Sequence, residues 1–150
     1  MALQPDILVT RPDWPDVLLV VELRTDRVDS ENPDAELKVY MARMQCPAGM
    51  LVTPDWTRFY RHSYLDRIPE AIELAGECGT RELFGPALGK GPLQEELLYF
   101  VVQQWLGNLR AGEVEYWPES VRNAIWANIL PSVLKGEVRA GGPWRIKTGS

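Results

Sequence analysis

The stretch "VVELRTD", residues 20–26, joins an apolar run to an acid and, one residue later, to a base. The four residues before the acid are Leu-Leu-Val-Val, a pattern that is typical of a buried β-strand. Glu22 and Arg24 then stand at the end of that strand. They are either a solvated strand end or part of a functional site, and the residues that lie near Glu22 in space decide between these interpretations.

A second apolar run, Ile7-Leu8-Val9-Thr10, precedes this strand, and the segment "RPDWPD" at 11–16 separates the two runs. Prolines and aspartates favour a turn over a helix, so the sequence predicts an antiparallel hairpin centred near residue 14. Paired residues in that hairpin have numbers that sum to about 28. The expected pairs are Thr10 with Leu18, Leu8 with Val20, and Asp6 with Glu22.

This register places two acids side by side. Side chains alternate along a strand, so Asp6 and Glu22 emerge on one face, and Arg24 lies on the same face two residues later. Directly opposed carboxylates repel each other, and a divalent cation bound by both removes the repulsion. The prediction depends on the register, because a shift of one residue turns the two side chains to opposite faces.

Pro5-Asp6 and Glu22-Leu23-Arg24, followed by a helix and two strands, resemble the motif and element order of the PD-(D/E)xK nuclease superfamily, which includes restriction endonucleases. The resemblance covers residues 5–61. It implies an α/β fold with a restriction-endonuclease-like mixed β-sheet flanked by helices. It also implies hydrolysis of phosphodiester bonds in DNA that depends on Mg²⁺, with Mn²⁺ as a substitute.

Carried over by position, the resemblance implies that Asp6 and Glu22 bind Mg²⁺ together with the main-chain carbonyl of Leu23. Gln45, or another polar residue on the helix that follows the hairpin, would occupy an auxiliary position. The bound cation would polarise the scissile phosphate and lower the pKa of an attacking water.

Arg24 stands where the family usually has lysine. A guanidinium keeps its charge and binds phosphate oxygens, but it does not release a proton near neutral pH. Lys38, on the following helix, is the alternative source of the lysine. Arg24 could equally form a salt bridge with Asp26 or Glu22. Two further hypotheses therefore stay open: a catalytically degenerate domain that serves as a binding or assembly module, and an unrelated α/β interaction domain.

Apolar periodicity predicts the remaining elements. We expect a helix over 35–45 capped by Asp34, strands over 50–53 and 57–61, and a short helix from Pro69 that ends at Gly76. A long helix over 92–107 should bury one stripe of side chains, and a last helix from Pro118 a second, with a kink at Pro131. The two stripes are Leu93, Leu97, Val101 and Trp105, and Val121, Ile125, Ile129 and Val133. The tail from Arg139 shows no element.

A chain of 150 residues that is 45% hydrophobic can bury one core, so we expect a single domain. Residues 1–62 would form the nuclease-like core and residues 63–150 its mainly helical completion. Only four residues precede Pro5, so the helix that usually opens the family's fold has no room. The domain is therefore minimal, a fragment, or completed by a homodimer or a larger protein partner.

The net charge of −5 arises in the first half of the chain, where residues 1–75 hold 13 acidic and 8 basic side chains and residues 76–150 hold 8 of each. Proteins that bind nucleic acid without specificity more often have a basic surface, so any DNA contact would rely on a local basic groove. No apolar stretch approaches the roughly 20 residues of a membrane span. We expect a cytoplasmic protein with no membrane contact.

Other chemistry is poorly supported. Cys46 and Cys78 form no CxxC pair and predict two reduced, packed thiols. His62 is the only histidine, which argues against a zinc cluster based on histidine but leaves a pairing with Cys46 open. The segment "GPALGKG", 85–91, lacks the spacing and the Ser or Thr of a phosphate-binding loop. Trp56 and Tyr60, beside Arg58, are the one place where base stacking deserves consideration.

Overall fold

The computed structural model describes residues 5–13, 16–25, 32–64, 68–114 and 116–140. Six strands form one sheet in these residues. The strands are β1 (Ile7–Thr10), β2 (Val17–Leu23), β3 (Ala48–Val52), β4 (Trp56–His62), β5 (Ile72–Gly79) and β6 (Glu137–Ala140). The expected turn at residues 14–15, most of the loop after Arg24 and the tail beyond residue 140 lie outside the described residues.

Five α-helices accompany the sheet in the described part of the chain. They are α1 (Pro33–Met44), α2 (Thr80–Phe84), α3 (Glu95–Arg110), α4 (Glu119–Ala124) and α5 (Leu130–Lys135). Short 3₁₀ turns cover Pro69–Ala71 and Gly85–Leu88, and a π-helical segment, Ile125–Ile129, joins α4 to α5. Pro131 has no backbone N–H to donate to the preceding turn, which accounts for the local change of helical pitch where a kink was expected.

The sheet has the strand order β5-β4-β3-β2-β1-β6. Strands β2 and β3 are parallel and are connected through α1, whereas the other neighbours are antiparallel. Helix α1 covers one face of the sheet with Leu37 and Met41, and helices α2 to α5 cover the other. The prediction of a mixed sheet flanked by helices is confirmed. Strand β2 is buried along its whole length, as expected for a central strand covered on both faces.

The hairpin register is confirmed as far as Ile7, which pairs with Val21, and the described pairing does not extend to Asp6 and Glu22. Leu8 pairs with Val20, and the backbone N–H of Asp6 donates to the carbonyl of Val21 over 3.1 Å. The pairing of Thr10 with Leu18 was wrong, because a bulge after Val9 places Thr10 opposite Val17. The bulge lies at the turn end of the hairpin and leaves the register at Ile7 and Leu8 unchanged.

Two expectations for the second half were wrong. The segment from Ile72 to Gly79 is an edge strand and not a helix, and only Pro69–Ala71 is helical there. Glu137–Ala140 is the sixth strand, paired with β1, where no element was expected. The four residues of the last predicted stripe are all buried, but Leu97 of the α3 stripe is 40% exposed.

Helix α1 begins at Pro33, two residues earlier than predicted. The side chain of Asn32 accepts a hydrogen bond from the backbone N–H of Ala35 over 3.2 Å, so Asn32 and not Asp34 caps the helix. Asp34 and Glu36 lie in the first turn, where carboxylates complement the positive end of the helix dipole. This turn therefore carries acids next to the end of β2.

Both cysteines carry free, buried thiols, as predicted. The Cys46 thiol donates to the carbonyl of Ala48 over 3.1 Å, and burial raises its pKa to about 12, so it is not paired with His62 as a nucleophile. None of the helices in the described part of the chain combines the length and apolar character that crossing a membrane requires.

Candidate functional site

The hairpin brings the carboxyl groups of Asp6 and Glu22 into hydrogen-bonding contact. Asp6 precedes β1 and Glu22 is the sixth residue of β2, on the face that α1 covers. One oxygen of Asp6 accepts the backbone N–H of Leu23 over 2.8 Å, which fixes that carboxylate against the end of β2. The acids therefore converge, as the sequence predicted.

Glu22 is buried, with 4% of its surface exposed. Burial, followed by contact with Asp6, raises the pKa of Glu22 to about 9, although Arg24 opposes the shift. At neutral pH and without a cation, Glu22 therefore keeps its proton. A cation between the two carboxylates would replace that proton and favour their charged forms.

Arg24 joins this pair to α1. Its Nε donates to an oxygen of Glu22 over 3.0 Å, and its Nη2 donates to an oxygen of Glu36 over 2.8 Å. The salt bridge to Glu22 that the sequence left open is thus present, whereas Asp26 lies outside the described residues. We call Asp6, Glu22, Arg24 and Glu36 the carboxylate site. Charge-assisted bonds of this kind hold the guanidinium in one orientation.

The backbone of Leu23 faces the same edge. Its N–H points towards Asp6, and the N–H of Arg24 points the opposite way, to the carbonyl of Val52 in β3. Because a residue's N–H and C=O point to the same side of a strand, the Leu23 carbonyl is directed towards the Asp6 side. It therefore lies on the side of β2 from which a third oxygen ligand would come.

Lys38 does not reach the carboxylate pair through any of its described contacts. It lies 3.5 Å from a carboxylate oxygen of Asp34 and 5.9 Å from the centre of the Tyr60 ring, on the β4 side of α1. Strand β4 is two strands from β2, or about 10 Å across the sheet. Lys38 is therefore a neighbour of the site and not a member of it.

Gln45 lies at the far end of α1. Nine residues separate it from Glu36, or about 13 Å along the helix axis, and its amide nitrogen lies 2.9 Å from the carbonyl of Ala42 and 3.3 Å from Nε2 of His62. The structure does not bring Gln45 to the carboxylate pair. Glu36, which occupies the first turn of the same helix, has the position that sequence reasoning had considered for Gln45.

The base-stacking hypothesis for β4 stays a prediction, and it is restricted to Trp56. Arg58 lies 3.9 Å above the centre of the Trp56 ring, so one face of that ring is already covered by a cation. Tyr60 is buried under α1, with 1% of its surface exposed, and is not accessible to a nucleobase. Arg58 also approaches Asp34 at 4.0 Å, which places a basic side chain beside the first turn of α1.

The donor set fits a hard cation with open coordination positions. Mg²⁺ commonly takes one or two carboxylates from a protein and completes its octahedron with water and substrate phosphate. Two carboxylates in contact and a carbonyl directed to the same edge meet that requirement. The described residues contain no group of three or more His, Cys, Asp or Glu side chains arranged to enclose a metal ion, so a closed structural site is not formed by them.

Comparison of the chain with models of protein families, with curated proteins and with solved structures found no match. The geometry of the described residues therefore carries the functional argument. Sequence reasoning missed Glu36 from this geometry. The signal that could have identified Glu36 was its position in the first turn of α1, the helix that follows β2 in the chain.

Proposed function

We propose that this chain is a restriction-endonuclease-like domain that hydrolyses phosphodiester bonds in DNA with a divalent cation bound at Asp6 and Glu22. The observation that carries the proposal is the contact between the buried carboxyl group of Glu22 and the partly buried carboxyl group of Asp6. A sheet does not place opposed acids together for stability, because each raises the cost of ionising the other. A cation bound by both carboxylates would remove this cost.

Asp6, Glu22 and the carbonyl of Leu23 would hold Mg²⁺. When bound, Mg²⁺ supplies Lewis-acid polarisation of a phosphate oxygen and a more acidic water. The hydrogen bond from the Leu23 N–H fixes Asp6, and the Arg24 guanidinium fixes Glu22. Arg24 also places a permanent positive charge beside the pair, where it can stabilise the charge that develops on a phosphate during attack.

Glu36 limits the freedom of that guanidinium. With Nε on Glu22 and Nη2 on Glu36, Arg24 keeps its planar group at the edge of the site. Arg24 does not act as a proton donor or acceptor near neutral pH, so a water or a carboxyl of the site must carry the proton.

The second candidate function is a nuclease-like domain that binds or assembles without hydrolysis. It is favoured by the salt bridges of Arg24, because a guanidinium between Glu22 and Glu36 already supplies the positive charge that the acids require. In that case the carboxylate site is a structural element that joins β2 to α1. The two candidates differ in whether a divalent cation binds.

Cleavage of supercoiled plasmid DNA in Mg²⁺ or Mn²⁺ tests the proposal. Nicking by the wild-type chain should require the cation and should disappear in Glu22→Gln at matched purity. Glu73→Gln is the matched control, because Glu73 makes an exposed ion pair with Arg61 at 3.1 Å on β4 and should leave cleavage unchanged.

Cation binding, measured separately by calorimetry, distinguishes the two candidates. A wild-type chain that neither cleaves nor binds Mn²⁺ supports the binding or assembly module and contradicts the nuclease proposal. If the chain binds Mn²⁺ but does not cleave DNA, the activity is missing because Arg24 stands where the family has lysine. Arg24→Lys should then produce nicking.

A further inference from the structure

A cavity lies at the opposite end of β2 from the carboxylate site. Its volume is about 510 Å³, within the range of roughly 300–1,000 Å³ that is usual for small-molecule sites. We call it the β2-entry pocket and define it by the polar residues of its lining: Arg11, Asp16, Gln45, Tyr64, Asn128, Ser132 and Lys135. Buried β2 residues such as Val17 and Leu18 supply apolar lining.

Unusual backbone conformations converge on this pocket. Gln45 and Tyr64, with φ of 52° and 63°, are the two non-glycine residues with positive φ in the described part of the chain, and both line it. A left-handed conformation is costly for a large side chain such as tyrosine. Such backbone strain persists only where the surrounding structure fixes the residue in this conformation.

The π-helical segment contributes a third feature. Ile125–Ile129 places Asn128 at the pocket, and π-helical turns occur often at functional sites. Ser132, one turn later, has its hydroxyl within 3.1 Å of the Leu18 carbonyl and 2.9 Å of the Asn128 carbonyl. These contacts tie the helical wall of the pocket to β2, so the pocket is held by the fold.

Tyr64 forms a flat platform. Its ring is parallel to the His62 ring, with an interplanar angle of 6° and centroids 4.5 Å apart. The Tyr64 backbone N–H donates to His62 Nδ1 over 2.9 Å, which fixes the two rings together, and burial lowers the pKa of His62. Tyr64 remains 59% exposed, so the second face of its ring is accessible to a planar ligand.

The charges of the lining favour an anion. Arg11 and Lys135 are basic, and Asp16 is the acid among the described lining residues. Asp16 lies 3.9 Å from Arg11, at the limit of an ion pair between two half-exposed side chains, which contributes little. The described residues offer Lys135 no ion-pair partner, so its ammonium is available to a ligand.

We propose that the β2-entry pocket binds a nucleoside monophosphate, with the base stacked on Tyr64 and the phosphate contacting Arg11 and Lys135. The amide groups of Gln45 and Asn128 lie in the same lining and offer both donors and acceptors to the edge of a base. The site is separate from the carboxylate site, since Gln45 and Glu36 stand at opposite ends of α1. It does not depend on cation binding or on cleavage.

Calorimetric titration of the full chain with adenosine 5′-monophosphate tests this proposal, with adenosine and inorganic phosphate as separate probes. The nucleotide should bind at least about tenfold more tightly than either part, because only the nucleotide makes both the stacking contact and the charge contact. Inorganic phosphate binding as tightly as the nucleotide contradicts ring recognition. Adenosine binding as tightly contradicts the role of the two cations.

Variants of Tyr64 make the test specific. Tyr64→Phe keeps the ring and should keep affinity, whereas Tyr64→Gly should weaken nucleotide binding by about tenfold. Glycine adopts positive φ without strain, so Tyr64→Gly should not destabilise the fold through its backbone, and lost binding then reports the missing ring. Tyr116→Ala, which removes a tyrosine of similar exposure (58%) outside the pocket lining, is the matched control.

Lys135→Gln should weaken binding of the nucleotide and leave binding of adenosine unchanged. Absence of saturable binding at millimolar nucleotide, or equal affinity of Tyr64→Gly and wild type, overturns the proposal. So does an equal loss in Tyr116→Ala.

Discussion

The carboxyl group of Asp6 is in hydrogen-bonding contact with that of Glu22, although Glu22 is 4% exposed and lies on the neighbouring strand. An acid as buried as Glu22, in contact with a second acid, needs a proton or a cation between the two carboxyl groups. Which of the two is present should depend on pH and on divalent metal. The contact therefore links the stability of the fold to the proposed chemistry.

Stability without metal should fall as pH rises. Unfolded Glu22 releases its proton near the ordinary pKa of 4.5, whereas folded Glu22 keeps it to about 9. The folded state binds more protons between these values, so the free energy of unfolding decreases from pH 4.5 towards pH 9 and is highest below 4.5. Glu22→Gln carries no titrating group and should be more stable than wild type at pH 8, by roughly 1–3 kcal/mol.

Urea denaturation between pH 5 and pH 9 in the presence of EDTA measures this difference. Glu73→Gln, at an exposed acid, should follow the wild-type curve. If the curves of wild type and Glu22→Gln run parallel across the range, the buried acid does not hold a proton and the account of the pair is wrong.

Divalent cations should compete with that proton. Mn²⁺ affinity should increase from pH 6 to pH 9, because the bound cation needs Glu22 in its charged form. Asp6→Asn should weaken binding by about tenfold or more, since it replaces a charged ligand by a neutral one. Lys38→Gln should change affinity less than about twofold, because Lys38 contacts Asp34 and Tyr60 and not the pair. Calorimetry provides the affinities, and an affinity that is independent of pH contradicts this prediction.

The hairpin and its acids could be predicted from sequence because the information is local. Side chains alternate between the two faces along the strand that contains Leu8 and along the strand that contains Val20. The face on which Asp6 and Glu22 lie follows from this alternation. The bulge after Val9 could not be predicted, because it depends on the geometry of the turn and carries no side-chain pattern. The bulge did not affect the prediction that the acids converge, because it lies at the end of the hairpin opposite to them.

The edge strands depend on distant partners and could not be predicted from their own residues. Ile72, Ala75 and Gly76 suit a short helix as well as a strand, and pairing with β4 determines the outcome. The sequence "EVRA" at 137–140 has little apolar character, and it becomes a strand by adding to β1. Glu36 was missed for a similar reason, because its contact with Arg24 joins residues that are close only after α1 packs on the sheet.

Arg24 and Glu36 should be energetically coupled. Arg24→Ala removes a donor from both Glu22 and Glu36 and should destabilise the fold by roughly 1–3 kcal/mol. Glu36→Gln should cost less, because Arg24 keeps its contact with Glu22. The double variant should lose less stability than the sum of the losses in the two single variants. The difference, which is the coupling energy, should be about 1 kcal/mol. Denaturation of all four proteins at pH 7 measures it, and strictly additive losses would show that the bridge does not stabilise the fold.

Substitutions of two glycines by alanine should have opposite effects on stability. The first, at Gly136, tests how closely the chain approaches β1 before it enters β6. A methyl group at Gly136 would lie 2.7 Å from Val9 Cγ1 and 2.8 Å from the carbonyl oxygen of Thr10, so Gly136→Ala should destabilise the fold by roughly 1–3 kcal/mol. At Gly107, inside α3, a methyl group meets no atom within 4 Å. Gly107→Ala should therefore stabilise the helix by about 0.5–1 kcal/mol through propensity alone. Thermal denaturation of the pair gives both signs, and a neutral Gly136→Ala would mean that the chain does not pass this close to β1 before it enters β6.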